Sequence, residues 1–86
     1  MHDEDLIDLL RDLAEAFGYA VRMEALGRAG GACVLAGKKM LFIDSTAPLE
    51  MQIETFAEAL VEEDLDSIYL LPVVRDTIER YGRPPH

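Results

Sequence analysis

The sequence predicts an α+β fold in the order α-β-β-β-α-α, with a three-stranded antiparallel meander packed against helices. Three observations predict it. Leu6, Leu9, Leu10, Leu13 and Phe17 recur at three- and four-residue steps, the spacing of one helical stripe. Residues 19–44 hold three short apolar or alternating runs separated by glycine-containing links, the pattern of strands joined by tight connections. Two further stretches, from Pro48 to Glu63 and from Ser67 to Tyr81, return to helical spacing. Three apolar helix stripes are then available to cover one face of a small sheet.

The elements follow in order. Asp3 or Asp5 can cap the first helix, and Asp3, Glu4 and Asp5 sit at its positive end. Gly18 is placed to end it as a left-handed cap. Tyr19 to Leu26 reads as a strand, because Val21, Met23 and Ala25 alternate with Arg22 and Glu24. Ala32 to Ala36 is a short apolar strand, Gly37-Lys38 a tight-turn candidate, and Lys39 to Asp44 a third strand. Short links favour antiparallel neighbours, hence the meander. Ser45 or Thr46 can cap the second helix, with Pro48 in its first turn. Leu49, Ile53, Phe56, Ala57 and Leu60 share its buried face. Glu63, Asp64 and Asp66 lie at the negative helix end, which is expected to fray or to meet a basic group. Pro72 starts a fresh helix or kinks one. Leu71, Val74, Ile78 and Tyr81 form the last buried stripe, with Arg75 and Arg80 solvated.

Eighty-six residues form a single expected domain, 1–86, with residues 1–3 and 82–86 as flexible tails. Seventeen acidic residues stand against eight basic ones, a net charge of −9. Such a surface repels phosphate backbones and anionic membranes, so neither nucleic acid nor membrane is an expected partner. A basic protein partner, or solubility alone, fits better. The acidic start at Met1–Asp5 lacks the positive region of a secretory signal, and no apolar run approaches the ~20 residues of a membrane span. A cytoplasmic protein is the simplest expectation.

Residues that could carry chemistry are few. Cys33 is the sole cysteine, and His2 and His86 both fall in the expected tails. A thiol nucleophile needs a base beside it, so Cys33 reads as a small core residue among Ala32, Val34 and Leu35. Gly27-Arg28-Ala29-Gly30-Gly31 lacks a following lysine-serine pair and a following helix, so it reads as a flexible connection and not a phosphate loop. Arg28, Lys38 and Lys39 could form a small basic patch at hairpin ends. Asp44, between a strand and a helix, reads as a turn cap. Glu58 and Glu62 lie opposite the apolar stripe and read as a solvated acidic face, since a hard-metal site needs more oxygen ligands than two.

The Phe17-Gly18-Tyr19-Ala20-Val21 entry into a strand, the glycine hairpin, and Met40-Leu41-Phe42-Ile43-Asp44 before a proline-containing turn and helix carry a family resemblance over residues 10–63. The chain resembles the zincin-like ImmA/IrrE-type metallopeptidase core. The resemblance implies a helix bearing Ala-His-Glu-Leu-Gly-His, whose histidines bind zinc and whose glutamate is the general base. Ala57 and Leu60 match that motif. The histidine positions fall on Glu58 and Glu62, and the glutamate position on Ala59, so the metal-binding motif is absent. The resemblance then implies a scaffold and not an activity.

No catalytic, cofactor-binding or metal-binding set is complete, and no cofactor is expected. Apolar residues of both parities in Ala32–Ala36 and Met40–Ile43 imply burial on two faces, by a crossing third helix or by another chain. The expected function is a non-catalytic protein-interaction or self-associating domain, with an isologous homodimer as one form. Two alternatives remain: an enzyme completed across an oligomer from Asp44, Cys33 or the Glu58/Glu62 pair, and an acidic regulator seated on a basic surface.

Overall fold

The computed structural model describes residues 1–82; the notion of a tail over 83–86 lies outside the described residues. Helix α1 spans Asp3–Ala16, strands β1, β2 and β3 span Ala20–Glu24, Gly31–Leu35 and Lys38–Asp44, α2 spans Leu49–Leu60, and α3 spans Pro72–Gly82. A single 3-10 turn, Leu65–Ser67, lies between α2 and α3. The fold is α+β in the expected element order. Asp3 and Gly82 were expected in tails; they belong to α1 and α3.

The sheet is mixed, which corrects the meander. Its strand order is β1-β3-β2. β1 runs parallel to β3, with Ala20 opposite Met40 and Glu24 opposite Asp44. β2 runs antiparallel to β3, with Gly31 opposite Phe42 and Leu35 opposite Lys38. The physical reason lies in β3. It is the longest strand and carries four large apolar residues in succession, Met40 to Ile43, and the centre is the position where both edges are hydrogen-bonded and one face is fully buried. Leu41 and Ile43 are completely buried there. The chain leaving β1 must therefore pass the end of β3 to reach the far edge. Gly30 makes that passage possible, because a Cβ at this position would lie 2.0 Å from the Phe42 carbonyl oxygen.

The hairpin turn between β2 and β3 is Ala36-Gly37, not Gly37-Lys38. Both residues have positive φ, 51° and 80°. Two left-handed residues between antiparallel strands form the primed turn whose twist suits a hairpin. Ala36 is an unusual choice there, because its Cβ meets the carbonyl in this conformation.

α1 ends as expected. Gly18 has φ 93°, its N–H donates to the Glu15 carbonyl, and the Tyr19 N–H donates to the Ala14 carbonyl. These two bonds make a Schellman closure. The helix starts differently from expectation: its N-cap is His2, with no side-chain cap, and Asp3, Glu4 and Asp5 all fall in the first turn. α2 has Pro48 as its N-cap, also without a side-chain cap, so neither Ser45 nor Thr46 fills that role. Pro72 starts α3 afresh, which leaves Leu71 outside the helix and exposed.

The helices share one side of the sheet. α1 lies over β1, α2 over β3 and β2, and α3 packs on α2 and reaches α1. Leu10, Phe56, Leu60 and Ile78 join Leu41 and Ile43 in a single core. Gly82 lets α3 approach α2 closely, since a Cβ there would lie 2.5 Å from the Ala57 carbonyl oxygen. α3 thus builds a second helical layer and does not cross to the sheet's other face.

Two substitutions separate the turn from the crossing. Ala36→Asn replaces a poorly tolerated left-handed residue by a well tolerated one and is expected to raise stability by about 1 kcal/mol. Gly30→Ala forces a methyl into the Phe42 backbone and is expected to lower it by about 1–3 kcal/mol. Thermal and urea unfolding of both variants measure the two signs.

Candidate functional site

The parity of the strands divides the sheet into two faces. Val21, Met23, Leu41 and Ile43 face the helices and join or border the core. The opposite parity places Ala20, Arg22 and Glu24 of β1, Met40 and Phe42 of β3, and Cys33 and Leu35 of β2 on the outer face. No helix of the described residues packs there. Met40 and Phe42 are half-buried, and Leu35 is 54% exposed.

The two sheet edges differ in chemistry. β1 carries Arg22 and Glu24, which form an exposed ion pair of 2.9 Å. Charged side chains of this kind discourage strand addition. β2 reads Gly-Ala-Cys-Val-Leu and carries no charge. Ala32, Cys33, Val34 and Leu35 are all exposed, with Val34 at 66%. This corrects the expectation that Cys33 is a core residue. Of the two covers expected for the second face, the crossing third helix is not what forms: α3 packs on α2 and α1.

Charge is unevenly distributed. Residues 20–44 hold four of the eight basic residues, Arg22, Arg28, Lys38 and Lys39, and only two of the seventeen acidic ones, Glu24 and Asp44. The sheet region is therefore mildly positive, while α1, α2 and α3 hold eleven of the acidic residues and the segment between α2 and α3 holds four, Glu62, Glu63, Asp64 and Asp66. The expected basic patch does not assemble. Lys38 adjoins the hairpin end of β2, and Arg28 lies beyond its other end. Lys39 turns to the helix side. Its Nζ donates to the Phe17 carbonyl at 3.1 Å and to both Glu63 carboxylate oxygens at 3.2 Å, and it sits 4.3 Å from the centre of the Tyr19 ring. The Tyr19 hydroxyl donates to Glu63 at 3.1 Å. Glu63, past the negative end of α2, thus meets a basic group and does not fray. Burial, then the bond to the Glu63 carboxylate and its charge, hold the Tyr19 hydroxyl above its ordinary value. This cluster fastens α1, β3 and the end of α2; it is structural.

Asp44 behaves as a turn cap. Its Oδ1 accepts from the Thr46 hydroxyl at 2.7 Å, the Thr46 N–H at 3.0 Å and the Leu26 N–H at 3.4 Å. These donors, the Thr46 hydroxyl foremost, hold its carboxyl below the ordinary aspartate value against a small opposing effect of burial. Gln52 completes the same turn from α2, donating to the Ala47 carbonyl at 2.9 Å and the Ser45 carbonyl at 3.4 Å. Between this turn and the 28–30 loop lies a hollow of about 130 Å³, lined by Arg28, Asp44, Met51, Gln52 and Thr55 among others. A wider, shallower hollow of about 440 Å³ opens on the other side of the same loop, lined by Glu24, Arg28, Gly31 and Phe42.

The remaining candidates stay apart. Cys33 pairs with Met40, four residues along β3 from Asp44, which is about 13 Å at strand rise. Glu58 and Glu62 are exposed, and Ala59 is buried, 8% exposed. Among the described residues, no three His, Cys, Asp or Glu side chains are grouped as a metal site would require. Arg75, expected to be solvated, bonds Asp66 at 3.3 Å and the Leu65 carbonyl at 3.2 Å, bracing the 3-10 turn against α3. A second apolar surface was missed in the sequence. Ile68, Tyr69, Leu71 and Val73 are all exposed, Tyr69 at 83%, beside a hollow of about 250 Å³ bordered by Leu9 and Leu13. Its sequence signal was the run Ile68-Tyr69-Leu70-Leu71, which reads as buried helix until Pro72 is recognised as a helix start. No helix among the described residues is long and apolar enough to cross a membrane.

Neither a known protein family, nor a curated protein, nor a solved structure matches this chain.

A depressed carboxyl stabilises the fold above its unfolded value and ceases to do so as pH falls through its folded one. Asp44 is expected to contribute a stability loss that begins below the ordinary aspartate range, near 3.8, and continues at lower pH. Asp44→Asn is expected to remove that component, read as the difference between urea midpoints of the two proteins from pH 6 down to about pH 2.

Proposed function

We propose that this chain is a non-catalytic protein-interaction or self-associating domain that works through its uncovered sheet. A single observation carries the reading: with no helix of the described residues over the outer face, Cys33 and Leu35 are exposed there and Met40 and Phe42 partly exposed, while Val34 stands exposed along the same β2 edge on its helix-facing side. An apolar sheet face rimmed by polar groups is a common site of protein contact. The mild positive balance of residues 20–44 on a chain of net charge −9 supports contact through the sheet and not through the acidic helices. A cytoplasmic setting with a protein partner, or a second copy, suits this reading.

A scaffold relationship to the zincin-like core is a second reading. The order of β3, a proline turn and α2 favours it. With Glu58, Ala59 and Glu62 at the motif positions, it adds no activity. A structure of a family member that superposes residues 10–63 with α2 in register would support it; a different strand order would sink it.

The interaction reading is tested with immobilised full chain and extract of the source cells. A protein held through apolar contact is expected to survive a 1 M salt wash, where screening removes a purely ionic contact. Once identified and purified, it is expected to bind wild type and to bind Met40→Glu at least tenfold more weakly. The reading fails if no partner binds, the chain does not self-associate, and the purified chain instead turns over a substrate.

A further inference from the structure

We propose that β2 is a self-association strand: two copies join β2 to β2, antiparallel, about a two-fold axis at Cys33, to make one six-stranded sheet. The inference rests on the interaction reading above and names its partner as a second copy.

Four observations carry it. First, among the described residues β2 has its outer edge free, because the strand order β1-β3-β2 leaves β3 as its one strand neighbour. Its backbone donors and acceptors on that edge suit an added strand. Second, β2 is the edge without charge, whereas β1 is guarded by Arg22 and Glu24. Third, electrostatics choose this edge. Each copy carries net charge −9; α1, over β1 at the far side of the sheet, holds six acidic residues and Arg11, whereas α2, the helix over β3 and β2, holds three, Glu50, Glu54 and Glu58. Joining β2 to β2 keeps the two α1 helices at opposite ends of the assembly, so this approach meets less like-charge repulsion than one through β1. Fourth, the side chains are complementary in size. A dyad at Cys33 sets Leu35 opposite Gly31 of the second copy and Val34 opposite its Ala32, large against small on each face. Leu35 and Val34 are 54% and 66% exposed in the single chain, which leaves them free to pack there.

The strand is five residues long, so the contact is smaller than the ~1,200 Å² that stable complexes bury. Association is therefore weak and concentration-dependent, with a dissociation constant on the order of micromolar to tens of micromolar.

The test uses the full chain with its thiol reduced. Sedimentation velocity from about 1 µM to 1 mM is expected to show conversion of monomer to dimer, and no larger species, over the range set by that affinity. A short bis-maleimide is expected to link the two Cys33 thiols, because directly opposed residues across antiparallel strands have Cβ atoms roughly 5 Å apart. Cys33→Lys places two like charges on the dyad at an exposed position and is expected to raise the dimer midpoint at least tenfold, with an unchanged circular dichroism spectrum and melting temperature at monomer concentrations. Glu15→Lys on α1 is the control and is expected to leave the midpoint within twofold. Monomer at every concentration, open-ended growth past the dimer, or a dimer that persists in Cys33→Lys and gives no thiol link overturns the proposal. A monomer that still binds a purified partner in a Met40→Glu-sensitive way defeats the dimer alone and leaves the interaction reading in place.

Discussion

The structure depends on the central placement of β3. Leu41 and Ile43 are the sheet's fully buried contribution to the core, with α2 over them and a strand on each side. Everything irregular in the sheet follows from that placement. β1 must run parallel to β3, the following segment must pass β3's end, and Gly30 must lack a side chain where it passes. The neutral, five-residue β2 is then left at an edge, and the outer face is left open.

The helical side is tied to the sheet by two polar clusters of different kinds. At one end, Lys39 reaches from β3 to the Phe17 carbonyl and Glu63, so a single ammonium joins the end of α1, the sheet and the end of α2. At the other end, Asp44 and Gln52 fix the turn that launches α2. Both clusters use polar groups that the local backbone leaves without partners: a carbonyl at a helix end, and amides in a turn. Their carboxylates and amide are engaged by partners within the fold itself.

Much of this was legible in the sequence. Periodicity gave the helices and the existence of three strands, Gly18 gave the end of α1, and Asp44 gave its own role as a cap. Strand order was not legible, because it is decided by competition among three short strands for one central position, and that competition is a property of the assembled core. The same limit misplaced Cys33. Its neighbours Ala32, Val34 and Leu35 are apolar, and apolar composition signals burial only where another layer is present to supply it. Lys39 and Lys38 read alike in sequence as surface charges, yet adjacent strand residues point to opposite faces and Lys39 turns to the helices. The exposed run at Ile68–Leu71 was read as part of a helix for a related reason, since Pro72 can kink a helix or begin one and only the tertiary packing decides.

The close seat of Gly82 against the Ala57 carbonyl has a mechanical meaning. Ile78, one turn before it on the same face of α3, carries a branched side chain, so sliding α3 along α2 by one turn would drive that side chain into the Ala57 backbone. The contact is an axial stop. A load applied to the end of the chain is therefore expected to move the two helices together, as one lever bearing on the sheet, and shear between them is blocked until α3 lifts away whole.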